Sequence, residues 1–260
     1  MAKIISVTNQ KGGVGKTTTT GALLCGIAAK GNKVLGVDLD PQGSLGFSLG
    51  VDIERGSSVY EVLRGDADII EAIKPAAVET LDILPSNILL SGADLEFNRS
   101  GREYLLKNAL EPVMNKYDYI IIDTPPALNI LTVNSYTVAD RLIIPMAPDI
   151  LSLLGISQIK ETINNVQKYY NPHLKLLGIL LVKYNRRTNL SREVEELAIQ
   201  IAKQLDTVVL EVKIRNSIAV AESPAHAESV LTYAPRSNAA MDFARLVDYV
   251  MEELYSKRKR

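Results

Sequence analysis

Residues 3–18 read KIISVTNQKGGVGKTT and contain the strongest structural pattern in the chain. Its first part, residues 3–8, is rich in apolar and β-branched side chains and predicts a buried strand. Glycines and lysines follow, and a helical pattern runs from about Lys16 to Ala29 and is closed by Gly31. A strand, a glycine-rich turn and a helix in direct succession are typical of a phosphate-binding loop, because glycines let backbone N–H groups turn inward and the helix adds its positive end.

The loop predicts a site for ATP and Mg²⁺. Lys16 is expected at the β and γ phosphates and the Thr17 hydroxyl at the metal. Contacts to the nucleotide are assigned to consecutive residues of the loop: Lys11, Gly12, Gly13, Val14, Gly15, Lys16, Thr17 and Thr18. The alternative is an ordinary glycine-rich turn between a strand and a helix, which would not need this many matching positions.

The rest of the chain alternates short apolar runs with helical patterns. This alternation predicts an α/β fold, doubly wound, with a mostly parallel sheet flanked by helices on both faces. Further helices are expected over residues 191–204, with Ser191 as the cap, and over residues 237–255. The expected strands are residues 3–8, 33–37, 81–84, 117–122, 141–145, 174–182 and 207–212.

Composition narrows the class of protein. With 260 residues, of which 47% are hydrophobic, the chain is long enough for one large domain, which we expect to span residues 1–260. Cys25 is the single cysteine, so an internal disulfide and a multi-cysteine metal site are excluded, in keeping with a cytoplasmic protein. The longest apolar run, residues 174–182, is too short to cross a bilayer. The net charge of −1 means that any contact with DNA must be local.

Carboxylates end two further strands. Asp38 and Asp40 lie in VDLDPQG, residues 37–43, and Asp123 ends a buried strand before Thr-Pro-Pro. Because ligands gather at the carboxyl ends of parallel strands, these groups should face the phosphate site. Asp123 is expected to hold Mg²⁺ directly or through a water, together with Thr17 and Asp40. Of the two carboxylates in this stretch, Asp38 is the weaker candidate for a direct role, and we expect it to help organise the magnesium ion and its waters.

One departure from the general phosphate-loop pattern is informative. Gln10 stands where the first glycine is usual, and Lys11 follows it. This deviant loop, KGGVGKT, resembles that of the ParA and MinD family of dimerising ATPases, and later segments of the chain resemble the chromosomal, Soj-like branch. The resemblance implies a P-loop NTPase of the deviant Walker A type that hydrolyses ATP to ADP and phosphate. It also implies catalytic roles for Lys11, which reaches the nucleotide of a partner subunit, for Lys16, and for Asp40, which positions or activates water.

The same resemblance implies where the base binds. The family usually has Pro-Arg-Asn at the position of Ile214-Arg215-Asn216, with its proline and asparagine flanking adenine. Asn216 carries over and Ile214 replaces the proline, so adenine contacts are expected from both residues.

The function that the resemblance implies is DNA partitioning. ATP and Mg²⁺ would form a sandwich homodimer, the dimer would bind double-stranded DNA non-specifically and so associate with the nucleoid, and a ParB-like protein would stimulate hydrolysis and release. Candidate DNA contacts are Lys203, Lys213, Arg215, Arg236 and the basic residues 257–260.

Rival interpretations share the loop chemistry. A MinD-like positioning ATPase would need a basic amphipathic helix for the membrane, whereas the last helix here carries Asp242, Asp248, Glu252 and Glu253, so no membrane partner is expected. A nitrogenase-type iron protein would need cluster-binding cysteines. A metabolic ligase or kinase, of the dethiobiotin synthetase kind, would need a second substrate pocket, for which the sequence offers no distinct constellation.

Overall fold

Seven strands form one sheet in the computed structural model, which describes residues 1–256 except the side chains of residues 150–157 and 256. The strands are β1 (Lys3–Val7), β2 (Val34–Asp38), β3 (Lys74–Pro75), β4 (Leu81–Leu84), β5 (Tyr119–Asp123), β6 (Arg141–Met146) and β7 (Lys175–Leu181). Their order is β3-β4-β2-β5-β1-β6-β7, and every pairing is parallel except that of β3 with β4. The predicted mostly parallel sheet is confirmed.

Helices connect these strands. They are α1 (Lys16–Ala28), α2 (Ser44–Ser48), α3 (Val59–Arg64), α4 (Ile69–Ala72), α5 (Ala93–Glu96), α6 (Leu105–Leu110), α7 (Ile130–Val138), α8 (Ile150–Tyr169), α9 (Asn189–Gln204), α10 (Ala219–Glu222), α11 (Val230–Tyr233) and α12 (Asn238–Ser256). Short 3₁₀ turns occupy Ile88–Gly92, Arg102–Tyr104 and Ser223–His226.

The core lies on both faces of the sheet, as the doubly wound prediction requires. Alternate residues of β5 point to opposite sides: Ile120 and Ile122 pack with α6, α7, α8 and α9, whereas Ile121 packs with α1 and α12. Because side chains of a strand alternate in direction, near-continuous apolar strands indicate a sheet covered on both faces. The apolar residues in the expected strands 3–8 and 117–122 include six that are buried: Ile4, Ile5, Val7, Ile120, Ile121 and Ile122.

Strand register gathers the predicted site at one edge. Val7, the last residue of β1, pairs with Asp123 of β5, and Asp123 pairs in turn with Asp38 of β2. The loop that follows β1 therefore begins beside two buried carboxylates.

Three local predictions were wrong. Residues 207–212 are not a strand: only Val209 forms a bridge, with Ile179, after a turn in which Asp206 has a φ of 52°. The seventh strand is instead the two-residue β3 at the opposite edge, where a proline is tolerated. Helix α9 begins two residues earlier than expected, and its cap is Thr188, whose side chain accepts a hydrogen bond from the Ser191 N–H.

Candidate nucleotide site

The loop between β1 and α1 presents unpaired donors. Gly13 and Gly15 have φ values of 72° and 78°, which most side chains avoid. Within the part of the chain that the structure describes, the N–H groups of residues 12–18 donate to no protein acceptor, whereas the Thr19 N–H donates to the Gly15 carbonyl at 2.9 Å. A concave row of free N–H groups at a helix N-terminus is an anion site.

Side chains next to the loop hold its shape. The Asn9 side chain donates to the Pro145 carbonyl at 2.7 Å and accepts from the Lys11 N–H at 3.0 Å. The buried Lys16 ammonium donates to the Lys11 carbonyl at 3.1 Å, across the mouth of the loop. Lys16 therefore lies beside the free N–H groups of the loop, and its contact with the β and γ phosphates stays a prediction.

Oxygen ligands converge beside the loop. The Thr17 hydroxyl donates to the Asp123 carboxylate at 2.6 Å, and the Thr20 hydroxyl donates to the same carboxylate at 3.3 Å. Asp38 accepts the N–H groups of Asp40 and Leu45, both at 3.0 Å, and so fixes the start of the segment that carries Asp40. The sequence analysis did not foresee the part played by Thr20.

The electrostatics of this cluster suit a bound cation. Burial raises the pKa of Asp123, against the opposing effects of the Thr17 hydrogen bond and the nearby Lys16. Burial and the charge of Asp123 raise the pKa of Asp38 well above its usual range. Burial also lowers the pKa of Lys16, although Asp123 and Asp40 oppose that shift. A dication beside these carboxylates would stabilise their ionised forms.

The donor set fits magnesium that arrives with a nucleotide. Among the described residues, no group of three or more His, Cys, Asp or Glu side chains could hold a metal by itself. Mg²⁺ bound to nucleotides takes one or two protein oxygens and completes its shell with phosphate oxygens and waters. The Thr17 hydroxyl and the Asp123 carboxylate, 2.6 Å apart, are the protein oxygens that would hold it.

A cavity of about 750 Å³ extends from the loop toward the predicted base site. It is lined by Gly12, Gly13, Gly15, Lys16, Thr17, Thr18 and Asp40 at one end and by Ile214, Arg215 and Asn216 at the other. Backbone hydrogen bonds place this second segment, because the Tyr184 N–H donates to the Ile214 carbonyl at 2.9 Å and the Asn216 N–H donates to the Tyr184 carbonyl at 3.3 Å. The Val14 side chain is buried, so of that residue only the backbone can serve a ligand.

Lys11 is positioned differently from Lys16. It does not line the cavity; its ammonium is paired with the Asp149 carboxylate at 2.5 Å, and both side chains are about one third exposed. Asp149 follows β6 in the stretch MAPD, residues 146–149, and no local pattern in the sequence marked it as a functional residue.

The predicted DNA contacts fall into two groups. Lys213 and Arg215 line one groove. Lys213 is ion-paired with Glu195, and the Arg215 Nε lies 2.8 Å from the Asp242 carboxylate. Lys203 and Arg236 are exposed and do not line that groove. Four other basic residues line the groove and were not among the predicted DNA contacts: Arg186, Arg187, Arg192 and Arg245. The basic residues 257–260 lie outside the described part of the chain.

Helix α12 packs its apolar face on the protein. Phe243, Leu246, Val247, Val250 and Leu254 are buried, and the helix lies against α1. Asp242 is buried and ion-paired, which corrects the expectation that it is an exposed acid facing solvent or lipid. No helix in residues 1–256 is both long and apolar enough to span a membrane.

Known proteins of similar sequence and structure match nearly the whole chain. A family model described as an AAA domain matches residues 2–176. Over 254 residues the chain is 42% identical to the sporulation initiation inhibitor protein Soj of Bacillus subtilis. This alignment covers 95% of this chain and 98% of Soj. Over 235 residues it is 37% identical to the chromosome partitioning protein ParA of Caulobacter vibrioides, and this alignment covers 89% of this chain and 87% of ParA.

A solved structure supports the same fold. Cobyrinic acid a,c-diamide synthase from Mycobacterium smegmatis, with bound ADP and magnesium, superposes with a TM-score of 0.86 at 38% identity, covering 100% of this chain and 98% of that one. These similarities confirm the predicted fold class, the resemblance to ParA and Soj, and the assignment to ATPases that use adenine nucleotides with magnesium. The chain therefore belongs to the Soj and ParA family of partitioning proteins, which are P-loop ATPases.

Proposed function

We propose that this chain is an ATP-dependent, dimerising DNA-partitioning ATPase of the cytoplasm. ATP and Mg²⁺ join two copies in a sandwich dimer, the dimer binds double-stranded DNA on the nucleoid without sequence preference, and a ParB-like protein stimulates the hydrolysis that releases it. Its relatives of similar length are named Soj and chromosome partitioning protein ParA, which supports the partitioning role.

The position of Lys11 carries the dimer proposal. Lys16 occupies the mouth of its own loop, whereas Lys11 lies outside the cavity on Asp149. A second cation at the transferring phosphoryl group stabilises the transition state, and it is effective when supplied from a partner subunit. Lys11 belongs to the loop and its side chain is partly exposed, so it is suited to contact the nucleotide of a second copy.

Asp40 and the metal cluster supply the rest of the proposed chemistry. Asp40 lines the cavity within a segment tethered by Asp38 and by the Ser86 hydroxyl, which donates to the Asp40 carbonyl at 2.6 Å. We assign to its carboxylate the orientation of the attacking water. Bound magnesium would neutralise charge on the phosphates, with Thr17 and Asp123 holding it.

The groove beside the base site is the proposed DNA contact. Six basic side chains line it against three acidic ones, Glu195, Glu211 and Asp242, although the chain as a whole has a net charge of −1. Pairing two copies doubles the number of basic side chains offered to DNA, and affinity rises steeply with the number of phosphate contacts. Lys203, Arg236 and residues 257–260 would extend this surface.

Fluorescence anisotropy with a labelled duplex of arbitrary sequence tests this proposal. We expect binding with ATP and Mg²⁺ but not with ADP. Arg187→Ala should lower the slope of log affinity against log salt by about two, because each copy in a dimer loses about one phosphate contact. The control is Lys175→Ala, an exposed lysine at the opposite end of β7. Equal binding with ADP and ATP, or equal salt slopes for both variants, would contradict the proposal.

Two other functions fit the observations less well. A MinD-like membrane role is disfavoured because the apolar face of α12 is already buried. The 38% identical diamide synthase raises the possibility of ATP-dependent amidation. A glutamine-hydrolysing enzyme commonly uses a reactive cysteine, but Cys25 is buried and its thiol pKa is raised by burial to about 11.

A further inference from the structure

Lys183, the second residue after β7, reaches back to the phosphate loop. Its ammonium donates to the Gly13 carbonyl at 2.9 Å, although the two residues are 170 positions apart. Lys183 has a φ of 53°, in the left-handed region that side chains other than glycine disfavour. Among the described residues, three others besides glycine share a positive φ, namely Thr80, Asp206 and Ala227, and none of these lines the nucleotide cavity as Lys183 does.

The backbone on both sides of Lys183 is fixed. The Val182 N–H donates to the Met146 carbonyl and the Tyr184 N–H donates to the Ile214 carbonyl, both at 2.9 Å. A strained backbone conformation persists when its surroundings determine it in this way, and such residues concentrate at functional sites. Lys183 thus joins the phosphate loop to the segment at the base end of the cavity.

Among the described residues, only Lys183 donates a hydrogen bond to the Gly13 carbonyl. A Cβ built on Gly13 would meet no atom within 4 Å, so this side of the residue is open. Its carbonyl and the Val14 N–H belong to one planar trans peptide and point in opposite directions. A group that holds the carbonyl therefore also sets the direction of the N–H.

We propose that Lys183 is a positioning residue for nucleotide binding, which holds the Gly13 carbonyl so that the Val14 N–H is directed at the phosphates. ADP and ATP share the phosphates nearest the loop, so both should depend on Lys183. The inference rests on nucleotide binding at this loop and is independent of dimer formation and DNA.

Stopped-flow release of a fluorescent ADP analogue, with magnesium present and DNA absent, provides the test. Lys183→Met removes the ammonium and keeps the aliphatic stem; it should release ADP about five- to tenfold faster. Lys183→Arg keeps a donor and should restore most of the slow release. Lys175→Met, which changes an exposed lysine at the start of β7, is the matched control and should behave as the wild type.

Lys183→Gly separates positioning from stability. Glycine relieves the disfavoured φ, so the nucleotide-free protein should melt no lower than the wild type, while its ADP release should be as fast as that of Lys183→Met. Wild-type release rates in both the Met and Gly variants would overturn the proposal. It would also be overturned if release were fast only in variants whose nucleotide-free melting temperature had fallen.

Discussion

The ammonium of Lys11 lies 2.5 Å from the carboxylate of Asp149, on the loop that follows β6. This ion pair keeps within its own subunit the lysine that, in the proposed dimer, contacts the nucleotide of the partner. The pair must therefore break when the dimer forms, and its free energy opposes dimerisation.

Replacing Asp149 by Asn should favour the dimer. Each of the paired side chains is about one third exposed, so the pair contributes up to about 1 kcal/mol, or about fivefold per subunit in the ATP-dependent dimerisation constant. Affinity for ADP should not change, because neither residue lines the cavity. Dimerisation measured by light scattering over a concentration series checks this result. A dimer that is weaker than in the wild type would show that Asp149 assists assembly.

Replacing Asp40 by Ala should stop hydrolysis and leave nucleotide binding intact. If its carboxylate orients or activates water, the turnover rate should fall by about 100-fold or more. Asp52→Ala is a matched control, because both carboxylates accept the N–H two residues ahead at 3.1 Å, but Asp52 lies outside the cavity. Phosphate release under single-turnover conditions is the measurement, and a normal rate in Asp40→Ala would refute the role assigned to it.

Replacing Thr17 by Val should weaken only the magnesium-dependent part of binding. Valine keeps the shape and removes the hydroxyl that lies 2.6 Å from Asp123. With Mg²⁺ we expect ATP affinity to drop at least about tenfold, and with EDTA the wild type and the variant should bind alike. Thr137→Val removes a hydroxyl from α7 instead and is the control for calorimetry. An equal loss with and without metal would indicate a packing role.

Replacing Gly26 by Ala should destabilise the fold, although alanine is the better helix former. A Cβ at this position would lie 2.5 Å from Val247 and 3.1 Å from Leu231, and valine is stiff at χ1. Overpacking of this kind costs about 1–3 kcal/mol. Gly92→Ala, which meets nothing within 4 Å, serves as the control in urea unfolding. A more stable Gly26→Ala protein would mean that α12 does not pack closely on α1.

The parts of the fold that were predictable are those with strong local signals. Strands β1, β2 and β5 are continuous apolar runs, and the loop after β1 has consecutive glycines and lysines, so these strands and the convergence of Asp38 and Asp123 were predicted. The order in which the strands pair was not predicted. Residues 207–212 are also rich in β-branched side chains, which favoured a strand. In the structure this segment forms a single bridge to β7, between Val209 and Ile179, and Leu210 packs over Gly178. Propensity does not report such tertiary packing.

Long-range contacts account for most of what was missed at the site. Neither Asp149 nor Lys183 was assigned a role from the sequence, because only the tertiary fold brings them to Lys11 and Gly13. The cap of α9 was misassigned by three residues because Thr188 and Ser191 are both good caps, and their hydroxyls lie 2.8 Å apart in the folded chain.

Analytical ultracentrifugation of the Asp40→Ala protein tests the central claim most directly. With ATP and Mg²⁺ we expect a mass twice that of the chain, and with ADP a single chain. Adding Lys11→Ala to this variant should abolish the dimer while calorimetry still detects ATP binding, whereas adding Lys16→Ala should abolish both. A protein that sediments as a single chain in every nucleotide state, although it binds ATP, would contradict the account.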